Sequence, residues 1–357
     1  MAIGVNSDKN YMFTLEERLD MAERSLKAFY NVKVVSFRGL LVDFAYENNI
    51  DVIIRGIRNV EDFEFEKVIY LAGESQKLNI ETCPFFARQD LVHISSSTVK
   101  TIQKEQGIIN EYVPIYVKKC LEEKISGQYI IGITGEIGVG KSYISNMMEE
   151  IAKECRIEFH NIELDYIGHK ILGELREEKY RKIQEEIIHY FGDEVKNSDG
   201  TINRKVLGKI VFSDIEKLNK LNDIMYTPVI VRLRRELYNK KGIILINSAL
   251  IAETDMTYLC NNNIIYVSVD KETQRKRLEE REYTEEQINN RLKSQYDSNE
   301  KLKKIEVTIQ KESYGKVWHI DSSYNQSIDD IKKLLFEINK YLGEYKRSLS
   351  NLNNKNS

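Results

Sequence analysis

The chain has 357 residues, of which 41% are hydrophobic and 31% are charged, and its formal net charge is −3. This size and composition allow the cores of about two domains, which excludes a fully disordered protein. The net charge gives no argument for a nucleic-acid partner, and no apolar run or N-terminal pattern indicates a membrane span or signal peptide, so we expect small-molecule substrates as the partners.

Strands and helices alternate in the N-terminal part of the chain. The first predicted helix opens with a capping box formed by Thr14 and Glu17, and Ser95–Ser97 form an N-cap cluster before a later helix. Such alternation predicts βαβ units and a parallel sheet. The predicted strands are Ala2–Val5, Val32–Phe37 and Asp51–Ile54, and the predicted helices are Thr14–Phe29, Leu40–Glu47, Val60–Lys77, Thr98–Glu105 and Tyr112–Ile125.

The alternating pattern restarts after a short polar joint at Ser126–Gln128. The predicted strands that follow are Tyr129–Thr134, one ending near Leu164, Ile243–Asn247 and Ile264–Val269, and the predicted helices include Ser142–Lys153, a charged pair over Lys271–Gln295, and Ile328–Leu342. We therefore predict an α/β protein with two three-layer, parallel-sheet domains at residues 1–126 and 127–345, followed by a loose polar tail at 346–357. The sequence gives no oligomeric state.

The cysteines and histidines show no metal-binding or disulfide spacing. No CxxC pair occurs among the four cysteines, and the five histidines form no HxxxH cluster. Reduced thiols of this kind are typical of a cytoplasmic protein. The cysteines are Cys83, Cys120, Cys155 and Cys260.

The most informative motif is the segment GEIGVGKS at residues 135–142, which fits the phosphate-binding P-loop. A strand precedes it and a helix follows, as the motif requires. Gly135 and Gly140 allow backbone angles that turn successive amides toward a phosphate at a helix N-terminus. Lys141 is expected to neutralise the β- and γ-phosphates of ATP, and the Ser142 hydroxyl to bind Mg²⁺. The predicted ATP-binding residues are Gly135, Glu136, Ile137, Gly138, Val139, Gly140, Lys141 and Ser142.

A phosphoryl acceptor needs a general base, which is often a carboxylate at the end of a strand beside the phosphate loop. Glu163 and Asp165 follow the second strand of this domain. Taken alone, Asp165 is equally compatible with a helix N-cap.

Three further segments follow the loop in a fixed order: NIELDYIGHKILGE, FGDEVKNSDGTINRKVLGKIVFSD and QRKRLEEREYTEEQINNRLKSQ. Together with the loop they resemble dephospho-CoA kinase, a family that phosphorylates the ribose 3′-hydroxyl of dephospho-CoA with ATP. The resemblance covers about residues 128–341, and its most distinctive part is Asp199–Thr201 followed by Arg204.

The resemblance implies a role for each matching residue. Asp165 is the implied base, and Glu163, Arg204 and Glu253 fall near the acceptor. Arg277 and Arg281 fall in a helical lid over the ATP phosphates, although alone they fit solvated helix charges. Gln295 falls at the end of the lid.

Four features depart from the family pattern. Glu163 stands where the family has the first Asp of a D-x-D element that ends at Asp165. Thr227-Pro228 stands where the family has His-Pro, Ala249 stands where it has proline, and the stretch Asn299–Lys316 is longer. Two other functions therefore stay open: a P-loop kinase for another small hydroxyl acceptor, with the first domain as a scaffold, and a non-catalytic regulator built on two damaged folds.

The first domain resembles a second family, phosphopantetheine adenylyltransferase, through NSDKNYMFTLEERL, IIRGIRNVEDFEFE and HISSSTVK. That family transfers AMP from ATP to 4′-phosphopantetheine, and its product is the substrate of the kinase. The resemblance implies an adenylyltransferase-like site made of Lys9, Leu41, Arg55, Gly56, Ile57, Arg58, Glu66, Val92, His93, Ile94, Ser95, Ser96 and Ser97. Taken alone, Lys9 fits a surface lysine, and Arg55 and Arg58 fit surface ion pairs.

One element of this second family is missing. Its T/H-x-G-H motif, whose histidines stabilise the reacting phosphorus, has no counterpart before Lys9, and Gly168-His169 lies in the other domain. Met1 lies within what resembles the second strand of the fold. We therefore expect an N-terminally truncated domain that exposes a sheet edge and is inactive in adenylyl transfer as written.

Overall fold

The structure is a computed structural model that describes residues 1–6, 9–324 and 326–353, with side chains as far as residue 343. The chain divides into two compact units. Residues 1–102 and 111–117 form the first unit, and residues 103–110 and those from Lys118 onward form the second. The polar joint at Ser126–Gln128 lies inside the second unit, because Glu122–Ser126 forms a π-helical turn and Gln128 begins a strand.

The first unit contains parallel strands connected by helices. Thr14 forms the predicted capping box with Glu17, which fixes the start of the first helix. The strands are β1 (Ala2–Gly4), β2 (Val35–Phe37), β3 (Val52–Ile57) and β4 (Glu81–Phe86). The helices are α1 (Leu15–Leu26), α2 (Leu41–Glu47), α3 (Val60–Glu74), α4 (Ser96–Lys104) and α5 (Ile115–Leu121).

The four strands of the first unit form two separate sheets. β1 pairs in parallel with β2, and β3 pairs in parallel with β4. A cavity of about 810 Å³ is lined by residues of both β1 and β3, together with side chains of α2 and α3. Large apolar side chains on this unit are exposed, among them Ile54, Phe65 and Phe86. The sheet of this unit is therefore discontinuous, and little of its apolar surface is covered.

The second unit holds one continuous parallel sheet. Its strands are β5 (Gln128–Thr134), β6 (Phe159–Glu163), β7 (Gly242–Asn247), β8 (Asn263–Ser268) and β9 (Lys316–Asp321), in the order β6-β7-β5-β8-β9. Its helices are α6 (Lys141–Glu154), α7 (Leu164–Gly173), α8 (Glu178–Phe191), α9 (Arg204–Val211), α10 (Ile215–Leu237), α11 (Lys271–Glu279), α12 (Glu285–Lys293), α13 (Ser298–Glu312) and α14 (Ile328–Asn353).

Helices cover both faces of this sheet, which gives three layers. Side chains of α6 and α14, such as Met148 and Leu335, pack on one face. Side chains of α7, α8 and α10, such as Ile171, Ile187 and Leu233, pack on the other. The near-continuous apolar sequences of β5, β7 and β8 follow from this burial on both faces. In the part of the chain that the structure describes, no helix is long and apolar enough to span a bilayer.

Some elements differ from the sequence predictions. β4 contains Pro84 and β9 alternates buried with exposed residues, and neither strand was predicted. α13 occupies the stretch Asn299–Lys316 noted as unusually long. The last helix was predicted to end at Leu342 before a loose tail, whereas α14 continues to Asn353. Residues 354–357 of that tail lie outside the described residues.

Candidate functional site

The phosphate loop connects the central strand β5 to α6. Gly135 has φ +147°, and a Cβ there would lie 2.2 Å from the backbone oxygen of Val267. Gly140 has φ +94° and forms the N-cap of α6. Only glycine adopts these conformations without strain, so the two glycines let the loop fold tightly over β8 and open onto the start of a helix.

Lys141 lies against this loop. Its Nζ donates to the backbone oxygens of Gly135 and Glu136, each at 3.0 Å. Burial lowers the pKa of Lys141 to about 8, and the nearby carboxylate of Asp165 opposes that shift. An ammonium group held among loop carbonyls can exchange those contacts for phosphate oxygens.

Asp165 lies in the first turn of α7, directly after β6. Glu163 is the N-cap residue of this helix and makes no side-chain capping bond, so Asp165 is not the N-cap. Burial raises the pKa of Asp165, whereas Lys141 and hydrogen bonding from the Ser248 side chain and the Ala249 backbone lower it. The structure therefore brings together the lysine of the loop and the carboxylate that the sequence singled out.

The two lid arginines lie beside the loop. Arg277 donates to the backbone oxygen of Val139 at 3.2 Å and to both the hydroxyl and the backbone oxygen of Ser322, at 3.0 and 2.7 Å. Arg281 lines a cavity of about 460 Å³ together with Arg277, Gly138 and Gly140. Arg277 on α11 and Arg281 in the turn after it thus bring two guanidinium groups to the predicted phosphate site.

Two glutamines and a serine attach the lid to the loop. Gln295 Oε1 accepts a hydrogen bond from the Ile137 amide at 3.0 Å. Gln274 Nε2 donates to the Ile137 backbone oxygen at 2.8 Å and to Glu136 Oε2 at 3.1 Å. Ser298 at the start of α13 donates to Glu136 Oε1 at 2.6 Å. Only Gln295 was predicted, because isolated polar residues on helices give no periodic signal.

The 249–255 turn that follows β7 carries another predicted residue, Glu253. This carboxylate forms an ion pair with Lys301 of α13, and it accepts a hydrogen bond from the Tyr296 amide at 3.1 Å. Lys301 is fully buried. Sequence reasoning missed Lys301, since a lysine among several on a charged helix is indistinguishable from a solvated one.

Arg204 and His169 form a second polar group near the start of α9. Arg204 Nη2 lies 2.6 Å from His169 Nε2, and burial with the guanidinium charge lowers the pKa of His169. His169 is one helical turn beyond Asp165 on α7, so the two share a face of that helix. Asp199 accepts hydrogen bonds from the Thr201 amide at 3.0 Å and from Arg176 at 2.8 Å, which shapes the loop before α9.

Two of the departures from the family pattern, Thr227 and Ala249, lie in different surroundings. Thr227 is exposed on α10, next to the buried Pro228 within that helix. Ala249 is buried beside Asp165, and its backbone oxygen accepts from Thr134 Oγ1 at 3.4 Å. The alanine has an amide hydrogen at a position where proline has none.

The two arginines predicted for the site of the first unit are paired within that unit. Arg55 forms two hydrogen bonds to Glu66, at 2.6 and 2.5 Å. Arg58 binds Asp62 and also the backbone oxygen of Ile94 at 2.8 Å. The ion-pair alternative raised for both arginines is therefore what the structure contains.

The remaining predicted residues of the first unit lie along its cavity, at the end of β3 and at the start of α4. The ammonium of Lys9 lies 5.9 Å from the centre of the Phe65 ring. Leu41 lines the large cavity, as do Arg55 and Glu66. Gly56 and Ile57 lie at the end of β3, and residues 92–97 lead into α4, where the Ser95 hydroxyl accepts from the Thr98 amide at 3.0 Å.

A magnesium site at the loop would differ from a cage of protein carboxylates. Among residues 1–6, 9–324 and 326–353, no group of three or more His, Cys, Asp or Glu side chains could hold a metal. Mg²⁺ beside a nucleotide keeps several waters and takes its other ligands from phosphates and one or two side chains. The exposed Ser142 at the start of α6 fits that arrangement.

Comparisons with known proteins match these two units separately. The family model for dephospho-CoA kinase matches residues 129–316, and the cytidylyltransferase-like model matches residues 1–102. The chain is 37% identical over 126 residues to phosphopantetheine adenylyltransferase of Clostridium perfringens, an alignment that covers 35% of this chain and 77% of that protein.

Solved structures give weaker likenesses. The Thermus thermophilus protein TT1252 has a TM-score of 0.45 at 22% identity, over 59% of this chain and 96% of its own. A dephospho-CoA kinase from Campylobacter jejuni has a TM-score of 0.37 at 20% identity, over 61% of this chain and 99% of its own.

The fold and the matched families define a kinase unit that is preceded by a nucleotidyltransferase-like unit, both of the nucleotide-binding α/β class. The chain belongs to the dephospho-CoA kinase family, and its N-terminal part belongs to the phosphopantetheine adenylyltransferase family. It is a transferase of coenzyme A biosynthesis.

Proposed function

We propose that this chain transfers the γ-phosphoryl group of ATP to the ribose 3′-hydroxyl of dephospho-CoA, which gives coenzyme A and ADP. The observation that carries the proposal is the approach of Asp165 to Lys141 beside a glycine loop at the start of α6. This arrangement joins a base for the acceptor to a cation for the donor phosphates.

On this proposal, ATP binds with its β- and γ-phosphates in the loop. Amides of the loop and of the start of α6 donate to the phosphate oxygens, and Lys141 leaves the loop carbonyls to bind them. Mg²⁺, which neutralises phosphate charge, would be held by the Ser142 hydroxyl together with phosphate oxygens and water.

Asp165 then accepts the proton of the attacking hydroxyl. The acceptor oxygen forms a bond to the γ-phosphorus as the bond to the bridging oxygen of ADP breaks, in line with the attack. Arg277 and Arg281 lie at the loop, where their charge stabilises the transferring group and where lid closure excludes water. Water exclusion matters because hydrolysis is the competing reaction.

The acceptor is expected to lie along α7. Asp165 and His169 share one face of this helix, and Arg204 extends the positive charge beyond His169. Glu163 at the N-cap of α7 supplies an acceptor for the sugar hydroxyls, and Glu253 is bound by Lys301 and the Tyr296 amide. An acceptor of this shape would have a ribose near Asp165 and a phosphate-bearing arm that extends toward His169 and Arg204.

For the first unit, we propose that residues 1–102 do not catalyse adenylyl transfer as they stand. Arg55 and Arg58 are already neutralised by Glu66 and Asp62. The only histidine before α5 is His93, and it lies in the segment leading into α4 rather than in an x-G-H element. The four cysteines are widely spaced and include no CxxC pair, which supports a reducing compartment such as the cytoplasm.

A kinase for another hydroxyl acceptor is the second candidate, which Thr227 and Ala249 favour because both depart from the family pattern at the acceptor end. The test supplies purified chain with ATP, Mg²⁺ and either dephospho-CoA, 4′-phosphopantetheine, adenosine or glycerol, and measures ADP and pyrophosphate. We expect ADP with dephospho-CoA and no pyrophosphate with 4′-phosphopantetheine. Faster ADP formation with a different acceptor would overturn the assignment.

A further inference from the structure

Lys301 is the most deeply buried cation that the described part of the chain contains. Its side chain is 0% exposed, on a helix whose other lysines face solvent or surface carboxylates. A buried ammonium loses its hydration, and an apolar residue of similar volume often serves folding equally well. The charge at this position therefore calls for an explanation beyond packing.

The contacts of Lys301 all lie on one turn. Its Nζ donates to the Ala249 backbone oxygen at 2.6 Å and to Glu253 Oε1. Thr134, the last residue of β5, is the second donor to the same Ala249 oxygen, at 3.4 Å. Lys301 thus fixes both ends of the segment 249–253.

That segment faces the proposed base. The Ala249 backbone and the Ser248 side chain are hydrogen-bonding neighbours of the Asp165 carboxylate. Residue 249 is therefore attached on its carbonyl side to Lys301 and on its amide side to Asp165. A shift of the turn would move the groups that orient the base.

The ion pair is not arranged for maximal stability. Among the described residues, Glu253 Oε2 is buried and has no hydrogen-bond partner. An unsatisfied buried oxygen weakens the fold. The Lys301–Glu253 ion pair leaves this oxygen unsatisfied, so its contribution to stability does not explain it well. Its role in holding the 249–253 segment explains it better.

We propose that Lys301 is a positioning residue for phosphoryl transfer, holding the 249–253 segment so that this segment orients Asp165 toward the acceptor hydroxyl. The inference rests on the proposed function, because it assumes that Asp165 is the base. Lys301 does not itself touch the substrate in this account.

The charged groups around the base come from several elements. Lys141 on α6 and Lys301 on α13 are the cations facing Asp165, and Glu253 and Glu136 are the other carboxylates facing Lys301. Replacing Lys301 by methionine keeps the length of the side chain but removes one of the two cations. The acid limb of the kcat/KM profile should then move to higher pH, as loss of a neighbouring positive charge requires.

The experiment compares Lys301→Met with Lys304→Met in the full chain. Lys304 is the matched control, because it lies one turn along α13 and pairs with Asp255 of the same turn at 3.0 Å, but at the surface. We expect Lys301→Met to lower kcat by about tenfold to a hundredfold with the KM for ATP within about twofold of wild type, and Lys304→Met to leave both constants unchanged.

A folded Lys301→Met protein with wild-type kcat and an unmoved acid limb would overturn the inference. If that variant does not fold, the double variant Lys301→Met/Glu253→Gln removes both buried charges and is compared with Glu253→Gln alone. The inference then requires the double variant to be at least about tenfold slower, since the Ala249 oxygen has also lost its donor, and equal rates contradict it. Wild-type protein that forms no ADP with dephospho-CoA would instead refute the proposed function.

Discussion

The two units of this chain differ both in the motifs that they keep and in the sheet beneath those motifs: the second has a complete P-loop, whereas the first has no T/H-x-G-H element before Lys9. In the second unit, β5 lies at the centre of five strands and carries the phosphate loop at its end. In the first unit, four strands form two separate pairs, and a cavity of about 810 Å³ is lined by strands of both. A catalytic motif needs a rigid frame that aims its side chains, and the continuous five-stranded sheet of the second unit is such a frame.

The state of the basic residues differs in the same way. Arg55 and Arg58 of the first unit are bound by acidic neighbours of α3. Lys141 of the second unit is held by backbone oxygens, which a phosphate can replace without leaving a carboxylate unpaired. The cation of the phosphate loop is therefore bound by neutral oxygens, whereas Arg55 and Arg58 are each paired with a carboxylate.

The largest effect on this comparison should come from Asp165→Asn. The amide keeps the shape of the carboxyl group but cannot accept the proton, so kcat should fall by at least about a hundredfold. ADP formation with dephospho-CoA measures it. Asp223→Asn, an exposed position on α10, is the control. Wild-type turnover in Asp165→Asn would show that the base lies elsewhere.

Lys141→Ala should have the next largest effect. Loss of the loop cation removes charge stabilisation of the phosphates and should lower kcat/KM for ATP by about a hundredfold. Lys153→Ala, on the exposed side of the same helix α6, should leave kcat/KM unchanged. If the two variants behave alike, the loop does not bind phosphate through Lys141.

Gln295→Ala should have a smaller effect, because its side chain binds only one loop amide. We expect the KM for ATP to rise about threefold to tenfold, since a lid that no longer contacts Ile137 closes less often over the nucleotide. Steady-state kinetics with varied ATP measures this, with Gln310→Ala on the exposed face of α13 as the control. An unchanged KM would mean that this contact does not couple the lid to the loop.

The smallest effect is expected on stability, and it depends on pH. The pKa of Asp165 is raised above its ordinary 3.8, so the folded protein loses stability as pH rises from 3.8 through the raised pKa. Asp165→Asn lacks this loss and should melt at a higher temperature than wild type at pH 8, by a small margin because Asp165 is partly screened by solvent. The difference should vanish below the ordinary pKa. A lower melting temperature at pH 8 would contradict the pKa direction.

Part of this architecture could be predicted from the sequence. The glycines, Lys141 and Ser142 have a fixed spacing because backbone conformation requires it, and the helix and strand on either side have clear patterns. Asp165 could be found because it follows a predicted strand of the domain that carries the phosphate loop. For Arg55 and Arg58 the surface ion pair was the alternative to a role in the site, and the structure contains such pairs with Glu66 and Asp62.

Other features depend on contacts between distant segments. Lys301, Ser298 and Gln274 meet the loop or the 249–253 segment only after the chain has folded, and each is polar on a helix that is polar elsewhere. The sequence does not predict β9, because the polar residues at its exposed positions interrupt the apolar run that marks the other strands of this sheet. The sequence predicts an exposed sheet edge in the first unit. It does not predict that the four strands form two separate pairs.

The central claim is phosphoryl transfer to the 3′-hydroxyl, and ³¹P NMR of the complete reaction tests it most directly. Purified chain with ATP, Mg²⁺ and dephospho-CoA should give one new phosphomonoester signal on the ribose and one equivalent of ADP, with ATP stable when dephospho-CoA is omitted. ADP accumulating at the same rate without an acceptor, or pyrophosphate in place of ADP, would contradict the account.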